Sequence, residues 1–534
     1  MFDRLWEIAS QRPALSVVGL GLIAALGYPP LHMWWVALPA IAALIALLRA
    51  APTARLAAWY AWLFGWAHLT LANNWIATAF TYQTDMPAIL GWFAVPMLCV
   101  YLALYPAVAV LGAYWLARRA PAFAFGAVLA GCWIVLEWMR GWVFTGYPWP
   151  PLGLIALGGW ETPGLARLLP YMGTYALSGV VVLIAAGFYV VVQRWGALAA
   201  LPVLGLLAFV MHAAPPPLEE ADIAYTLVQP LIPQDEINDG SKFEEQFARI
   251  ADLTEPGRAT SRVVLWPESA IPDYLEDGYP QRYYNQVTAI NPLTRRGDPE
   301  FARSRIATVI GPESTLLTGV INLDIDVVEG RRRAVSARNS VIALDAHGKI
   351  THHYAKAHLV PFGEYLPLRS LLEPLGLSRL VAGSIEYRPG PGARTLDLGE
   401  HGKAGVQICY EIVFSGHVAA RDDRPDYIFN PSNDGWFGWW GPPQHLAQAR
   451  LRAIEEGLPV LRSTTTGISA VVDANGVVRQ SVATGKAGAI EGMIPRAYAA
   501  TWFSRLGNAL ALGWAGLLMA LGLGVPRLLA LRAS

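Results

Sequence analysis

Long apolar stretches without a charged residue occupy most of the first 212 residues. Of the eighty Asp, Glu, Lys and Arg residues, fourteen fall in residues 1–212 and two in residues 506–534, which leaves sixty-four for residues 213–505. A helix of about twenty apolar residues is long enough to cross a hydrocarbon core of about 30 Å. The chain is therefore expected to join an apolar helical part to a domain of ordinary polarity.

Seven such stretches precede the polar domain and an eighth follows it, which predicts an integral membrane α-helical bundle of eight transmembrane helices. The predicted domains are a seven-helix bundle over residues 1–213, a polar domain over residues 214–505, and an eighth helix with a tail over residues 506–534. The eight stretches lie near residues 13–29, 33–49, 56–76, 88–117, 121–141, 171–193, 196–212 and 506–526.

Arginine in the short loops recurs at every second predicted membrane face. Because positively charged loops are retained on the cytoplasmic side, this pattern predicts a cytoplasmic N-terminus and a polar domain outside the cytoplasm. The eighth helix then returns the C-terminus to the cytoplasm. The arginines concerned are Arg4, Arg12, Arg49, Arg55, Arg118, Arg119, Arg194, Arg527 and Arg532.

The composition excludes two other classes of protein. Hydrophobic residues make up 54% of the chain and aromatic residues 11%, so the chain has ample apolar surface to bury and is not disordered. Lysine and arginine number 40 and aspartate and glutamate number 40, so the whole chain has no net positive field to hold nucleic acid.

The polar domain reads as β-rich segments interspersed with helices, which predicts a layered α/β domain. Helical periodicity is found at 243–253 and 445–456, and hairpin turns are predicted at 345–348 and 473–476. The predicted strands are 223–228, 262–265, 314–321, 340–344, 404–408, 427–430, 458–465 and 469–472.

Three polar residues follow apolar segments of this domain and are candidate catalytic groups. Glu268 follows a predicted strand through Pro267, and Cys409 ends another. Lys356 lies in an otherwise apolar segment shaped by Gly and Pro. Each residue alone is compatible with a structural role: a solvated strand end, a core thiol and a surface lysine.

Together the three residue types form a complete set for acyl transfer. Glu268 can take the proton of Cys409, the thiolate can attack an acyl carbon, and the Lys356 ammonium can stabilise the oxyanion and lower the pKa of the thiol. Metal-binding and phosphate-binding motifs are not found, and His352 and His353 are adjacent rather than spaced as ligands. We therefore expect neither a metal nor a cofactor.

Several motifs, in order along the chain, resemble the apolipoprotein N-acyltransferases of the bacterial envelope, whose outer domain is nitrilase-like. The resemblance covers nearly the whole chain. Its motifs lie at residues 137–141, 146–149, 267–268, 356–364, 408–411, 430–437, 452–456 and 459–462.

The resemblance implies a nitrilase-like αββα sandwich held over an eight-helix bundle of the bacterial inner membrane, with the sandwich facing the periplasm. It implies transfer of a fatty acyl chain from a phospholipid to the α-amino group of a diacylglyceryl-cysteine lipoprotein, the last step of lipoprotein maturation. Cys409 would be the nucleophile that carries a thioester, Glu268 the general base and Lys356 the oxyanion-stabilising cation.

The resemblance also implies roles for residues around this triad. Glu364 would orient or exchange protons, whereas Tyr410 and Glu411 would support catalysis or shape the pocket. Where the family has a tryptophan on an entrance arm, this chain has Asn238, which we expect on a mobile arm that contacts the substrate. Further substrate-contacting and portal candidates are Trp436, Phe437 and the apolar segment 366–381.

Two alternatives remain open from the sequence. A membrane-tethered nitrilase-type amidase could use the same triad with water as the second nucleophile. A transporter or receptor could use the outer domain only to bind a solute, although the apolar stretches carry few of the ionisable residues that mark transport routes.

Overall fold

The computed structural model describes residues 11–82, 87–255, 261–368, 370, 374 and 385–533, with side chains described as far as residue 525. Most of the apolar segment 366–381 therefore lies outside the described residues. Each of the eight predicted apolar stretches contains a helix. Nine helices of the N-terminal part are α1 Pro13–Ala25, α2 Trp34–Ala50, α3 Ala54–Ala72, α4 Ile76–Ala79, α5 Leu90–Leu102, α6 Leu104–Ala117, α7 Ala122–Arg140, α8 Leu169–Trp195 and α9 Leu201–His212.

Four helical segments among the described residues are long and apolar enough to cross a membrane by length and composition. They are Leu90–Ala117, Ala122–Arg140, Leu165–Trp195 and Asn508–Val525. Three further apolar helices, Pro13–Ala25, Trp34–Ala50 and Ala197–His212, are shorter. The N-terminal helices and the C-terminal helix pack into one helical bundle through α7 and α8.

The polar domain contains two six-stranded sheets, each with parallel strands at its centre and antiparallel strands at its edges. The first sheet has the order β14-β1-β2-β5-β6-β7 and the second the order β13-β12-β11-β10-β9-β8. The strands are β1 Glu220–Gln229, β2 Val263–Leu265, β3 Ile290–Asn291, β4 Arg296–Gly297, β5 Thr315–Val328, β6 Arg331–Leu344, β7 Ile350–Ala355, β8 Thr395–Asp397, β9 Lys403–Val406, β10 Tyr427–Ser432, β11 Val460–Thr464, β12 Ser469–Val472, β13 Val478–Val482 and β14 Gly488–Pro495.

The two sheets pack face to face and helices cover their outer faces. Leu265 of the first sheet and Val406 of the second share one buried core between the sheets. The helices of the domain are α10 Phe243–Thr254, α11 Gln281–Val287, α12 Pro299–Ile310 and α13 Gly441–Glu456, and the chain ends in α14 Trp502–Leu506 and α15 Asn508–Ala533. Helices α10 and α12 cover the first sheet, and α13 covers the second. The predicted αββα sandwich is therefore confirmed.

The predicted strands all coincide with observed ones, and both predicted hairpin turns connect paired strands, β6 with β7 and β12 with β13. The polar sequence of residues 291–305 predicts a surface excursion, and the structure corrects that prediction in part. A small exposed hairpin, β3 with β4, is followed by α12, whose residues Ala302 and Ile306 are buried against the first sheet.

Helix α13 joins the sandwich to the bundle. The guanidinium of Arg450 donates to the carbonyl oxygens of Gly158 at 3.0 Å and Gly159 at 2.6 Å in the loop before α8. Glu455 accepts a hydrogen bond of 2.5 Å from the backbone N–H of Thr174 in α8. Helix α13, which covers one face of the second sheet, is thus held against the helical bundle by these hydrogen bonds.

Candidate active site

The three predicted catalytic residues follow three different strands of the sandwich. Glu268 lies three residues beyond β2, Lys356 directly follows β7, and Cys409 lies three residues beyond β9. All three side chains are buried, with exposed fractions of 6% for Glu268, 2% for Lys356 and 6% for Cys409. Because β2 and β7 belong to one sheet and β9 to the other, the two sheets together bring these groups to one site.

Two carboxylates hold the Lys356 ammonium. Its Nζ lies 3.0 Å from Glu364 Oε1 and 3.6 Å from Glu268 Oε1. The amide of Asn339 donates to the same two carboxylate oxygens, at 2.9 Å to Glu364 and 2.7 Å to Glu268. Glu364 is therefore a direct partner of Lys356, and Asn339 keeps the two carboxylates at a fixed separation.

Backbone N–H groups orient both carboxylates. The N–H of Asn433 donates to Glu268 Oε2 at 2.8 Å, and that of Val360 donates to Glu364 Oε2 at 2.8 Å. Each carboxylate thus has one oxygen on a backbone amide and the other facing Lys356. This geometry leaves Glu268 oriented but able to exchange a proton.

Cys409 occupies a strained backbone conformation, with φ of +50°. Left-handed conformations are uncommon for residues other than glycine, and they persist where the surrounding structure enforces them, often at active sites. One turn of 3₁₀ helix, Cys409–Val413, begins at this residue. The abrupt change from strand to helical turn presents the thiol at the end of the sheet.

Burial and neighbouring charges set the protonation states of the site. Burial raises the pKa of the Cys409 thiol well above its ordinary value, and Glu268 adds to this, whereas Lys356 and the N–H of Asn433 lower it. Burial would lower the pKa of Lys356, but Glu364 and Glu268 raise it above its ordinary value. The resting site therefore contains a neutral thiol and a charged ammonium.

Glu411 connects the segment that carries Lys356 to the segment that carries Cys409. Its Oε1 accepts from the backbone N–H of Ala357 at 2.6 Å, and its Oε2 accepts from that of Ile408 at 2.8 Å. The hydroxyl of Tyr354 in β7 also donates to Oε1 at 2.8 Å. Glu411 is buried, with an exposed fraction of 1%, and its hydrogen bonds hold the two segments together.

The predicted aromatic candidates lie where the site meets the bundle. Tyr410 is buried, and its hydroxyl donates to the carbonyl oxygen of Gly146 at 3.3 Å. The Phe437 ring packs on Trp75 with centroids 4.6 Å apart, and the half-buried Trp436 ring lies 5.9 Å from that of Tyr82. These contacts make the three residues part of the junction between sandwich and bundle.

Asn238 is exposed and lies in a turn between β1 and α10. The same connection reaches the site at Gln234, whose Oε1 accepts from Asn433 Nδ2 at 2.7 Å. The connection thus contacts Asn433, whose backbone N–H donates to Glu268, and a direct contact between Asn238 and a substrate stays a prediction.

Several residues of the site were not singled out from the sequence. Asn339 bridges the two carboxylates, and Asp434, His445 and Arg462 form a buried polar cluster behind Cys409. Asp434 lies inside the motif at residues 430–437, and this motif is the sequence feature from which it could have been identified. Within the described ranges, no group of three or more His, Cys, Asp or Glu residues is arranged to hold a metal ion.

Comparison with known proteins places the chain in a family. Residues 20–187 match the model of the apolipoprotein N-acyltransferase N-terminal domain, and residues 227–503 match that of the carbon-nitrogen hydrolases. An amidase from Nesterenkonia sp. AN1 aligns with 56% of this chain and 96% of its own, at 16% identity and a TM-score of 0.33.

Curated relatives match over nearly the whole chain. An apolipoprotein N-acyltransferase from Bradyrhizobium diazoefficiens is 32% identical over 95% of this chain and 95% of its own length. Those from Rhodopseudomonas palustris and Caulobacter vibrioides are each 32% identical, over 86% and 93% of this chain and 84% and 91% of theirs. These relatives favour acyl transfer over the amidase and solute-binding alternatives. The chain belongs to the apolipoprotein N-acyltransferase family, and it is an enzyme of lipoprotein N-acylation.

Proposed function

We propose that the protein transfers a fatty acyl chain from a membrane phospholipid to the α-amino group of a diacylglyceryl-modified apolipoprotein, through a thioester on Cys409. The observation that carries this proposal is the buried cluster of Glu268, Lys356 and Cys409 directly beside the bundle junction. Both substrates carry acyl chains anchored in lipid, so a site at this junction fits them.

In the first step, Glu268 takes the proton of Cys409 and the thiolate attacks the ester carbon of the phospholipid. Lys356 stabilises the negative charge that develops on the carbonyl oxygen. The ester C–O bond then breaks, the proton on Glu268 passes to the leaving alkoxide, and lysophospholipid departs. An acyl thioester remains on Cys409.

In the second step, Glu268 deprotonates the α-ammonium of the acceptor, and the free amine attacks the thioester carbon. The C–S bond breaks and the proton held by Glu268 passes to the Cys409 thiolate, while the nitrogen releases its other surplus proton to water as the amide forms. A thiol nucleophile divides the transfer into two steps, so the two lipid-anchored substrates need not occupy the site together. The proposal predicts ping-pong kinetics.

The neighbouring residues have supporting roles in this proposal. Glu364 keeps Lys356 charged and oriented, and Glu411 holds the Lys356 and Cys409 segments together. Tyr410 shapes the wall toward the bundle. Trp436, Phe437 and Asn238 are proposed to contact the substrates at the entrance.

The reaction is tested by giving the purified protein labelled phospholipid without an acceptor. We expect one acyl group on Cys409, lysophospholipid in stoichiometric amount, and loss of the label when a diacylglyceryl lipopeptide is added. Cys409→Ala, Glu268→Gln and Lys356→Ala should each abolish the adduct, whereas Cys99→Ala should leave it unchanged. Lysophospholipid that appears only with acceptor, and no adduct on Cys409, would establish a direct ternary transfer instead.

We further propose that eight helices cross the bacterial inner membrane and that the sandwich faces the periplasm. The alternating arginines of the loops and the helices found at all eight apolar stretches support this arrangement. A reporter that is active only outside the cytoplasm should be active when fused after Ala213 and inactive after Arg194 or Ser534. The reverse pattern would contradict the proposed orientation.

A further inference from the structure

Three buried side chains lie behind Cys409, and the proposed reaction does not use them. Asp434 follows β10, His445 lies in α13, and Arg462 lies in β11. Their exposed fractions are 3%, 0% and 0%. Burying two charged groups and an imidazole is unfavourable unless each is hydrogen-bonded, so their partners indicate what the cluster does.

His445 connects this cluster to the nucleophile. Its Nε2 lies 3.1 Å from the backbone carbonyl oxygen of Cys409. A carbonyl oxygen can only accept, so Nε2 must carry a hydrogen atom in either protonation state of the ring. The side chain of His445 therefore donates a hydrogen bond to the main chain of Cys409.

Asp434 and Arg462 both contact the other ring nitrogen of His445. Asp434 Oδ1 and Arg462 Nη2 each lie 2.9 Å from His445 Nδ1, and Arg462 Nη2 lies 2.7 Å from both carboxylate oxygens of Asp434. Burial and the Arg462 guanidinium lower the pKa of His445, although Asp434 opposes them. A neutral ring accepts at Nδ1 from Arg462 and a protonated ring donates there to Asp434, and in both states Nε2 carries the hydrogen that Cys409 accepts.

The His445 ring is also fixed from its sides. The ring of Phe437 lies 5.4 Å from it and that of Trp149, which belongs to the bundle, lies 5.1 Å from it, centroid to centroid. These two ring contacts restrict rotation of the His445 side chain, which donates the hydrogen bond to Cys409. Such a donor is suited to hold a main chain that is itself strained, as that of Cys409 is at φ +50°.

We propose that His445 is a positioning residue for acyl transfer, and that its Nε2–H holds the Cys409 carbonyl so that the strained backbone directs the thiol toward Glu268 and Lys356. Asp434 and Arg462 hold the opposite side of the ring at Nδ1. The inference rests on the proposed role of Cys409 as the nucleophile and adds a residue that touches neither substrate nor thiol.

Two amide substitutions separate this hydrogen bond from simple packing. In His445→Gln the amide nitrogen stands three bonds from Cβ, as Nε2 does in histidine, so it can still donate to Cys409. In His445→Asn the amide reaches only as far as Nδ1. His445→Phe keeps the ring shape without any donor, and His347→Asn, at an exposed position, is the matched control.

The measured quantity is the rate at which labelled phosphatidylethanolamine acylates Cys409 in detergent micelles, with folding checked by thermal unfolding and gel filtration. We expect the Gln variant to stay within about threefold of the unaltered protein, and the Asn and Phe variants to fall by about tenfold in the rate constant for acylation, because one lost hydrogen bond of ordinary strength corresponds to about tenfold. The KM for phospholipid should change little, because His445 does not touch the lipid.

The outcomes distinguish this inference from the proposed reaction. No adduct on Cys409 in the unaltered protein would overturn the reaction itself. An Asn variant that acylates as fast as the unaltered protein, or a Gln variant that is as slow as the Phe variant or fails to fold, would overturn the role of His445 alone. An Asn variant that fails to fold beside a fully active Gln variant would support it.

Discussion

At the scale of single residues, the site contains two buried groups, Lys356 and Cys409, whose charged forms burial alone would disfavour. Lys356 remains an ammonium because Glu364 and Glu268 lie beside it, while Cys409 remains a thiol because burial and Glu268 disfavour its charge. A nucleophile that is neutral at rest needs a base within the site, and Glu268, oriented by Asn433, fits that need. In the proposed reaction, the thiol is activated when its proton moves to Glu268.

The raised pKa of Cys409 gives a testable pH dependence. Because the thiolate is the reactive form and the pKa is raised, the thiol dominates through neutral pH, and alkylation by iodoacetamide should keep rising beyond pH 9 without a plateau. The measurement uses a Cys99→Ala, Cys132→Ala background, so that Cys409 is the only thiol. A rate that levels off below pH 8 would show a stabilised thiolate instead.

The sequence predicted the three members of the buried cluster, Glu268, Lys356 and Cys409, better than the residues around them. Glu268 and Cys409 could be identified because each ends an apolar strand, a position where layered domains display functional groups. His445 and Asn339 could not, because their partners lie 36 and 71 residues away along the chain and only the packing of sheets and helices brings them together. His445 lies in a helix whose periodicity indicated a buried face, and a buried polar residue there reads as ordinary packing.

At the scale of elements, the kink in α8 determines how the bundle meets the sandwich. Gly173 has φ of +76° inside this helix. The kink frees the backbone N–H of Thr174 from the helical ladder, and that N–H donates to Glu455 of α13. Glu455 also accepts from Ser415 Oγ at 2.8 Å, so one buried carboxylate ties the bundle helix to the segment after Cys409.

Gly173→Ala should disrupt this junction. A methyl group there would lie 2.2 Å from Cε2 of the buried Phe503, and the backbone at φ +76° and ψ +169° is a conformation almost restricted to glycine, which costs other residues roughly 1–3 kcal/mol. We expect a lower midpoint of thermal unfolding and reduced acyl transfer. Gly187→Ala in the same helix is the control, because its methyl group would meet Phe123 at 3.8 Å, an ordinary contact. Equal behaviour of the two variants would contradict a specific role for the kink.

Strands with β-branched runs were predicted, whereas β3, β4, β7, β8, β13 and β14 were not. The sequence of β7 contains His352 and His353, and that of β13 is mostly polar, so neither shows the pattern of a buried strand. Both are edge strands, where one side of the backbone is unpaired and polar side chains are tolerated. Strand β7 nonetheless leads directly into Lys356. A strand that the sequence pattern did not reveal therefore positions one of the proposed catalytic groups.

At the scale of the whole molecule, α13 packs against both halves of the protein, the sandwich and the helical bundle. Its apolar residues, among them Leu446 and Ala449, pack on the second sheet. Its opposite face meets the bundle, where Ala447 and Leu451 join the bundle core. There Gln444 accepts from Trp149 Nε1 at 2.8 Å and donates to the carbonyl oxygen of Ala72 at 3.0 Å. Because the same helix carries His445, the docking of the sandwich on the bundle and the geometry of Cys409 depend on one element.

Arg450 should be the residue on which this docking depends most. Its guanidinium donates to the carbonyl oxygens of Gly158, Gly159 and Thr162 in the bundle loop and of Gly476 in the sandwich. Lysine offers a single nitrogen and cannot reach all four acceptors, and each buried carbonyl left unpaired costs roughly 1–3 kcal/mol. Arg450→Lys should therefore lower the unfolding midpoint by several degrees and make the sandwich more sensitive to proteolysis at its junction with the bundle. Arg496→Lys alters an exposed pair with Glu219 and should change neither measurement. If Arg450→Lys resembled that control, the apolar contacts and the other hydrogen bonds of α13 would hold the two halves together without a need for Arg450.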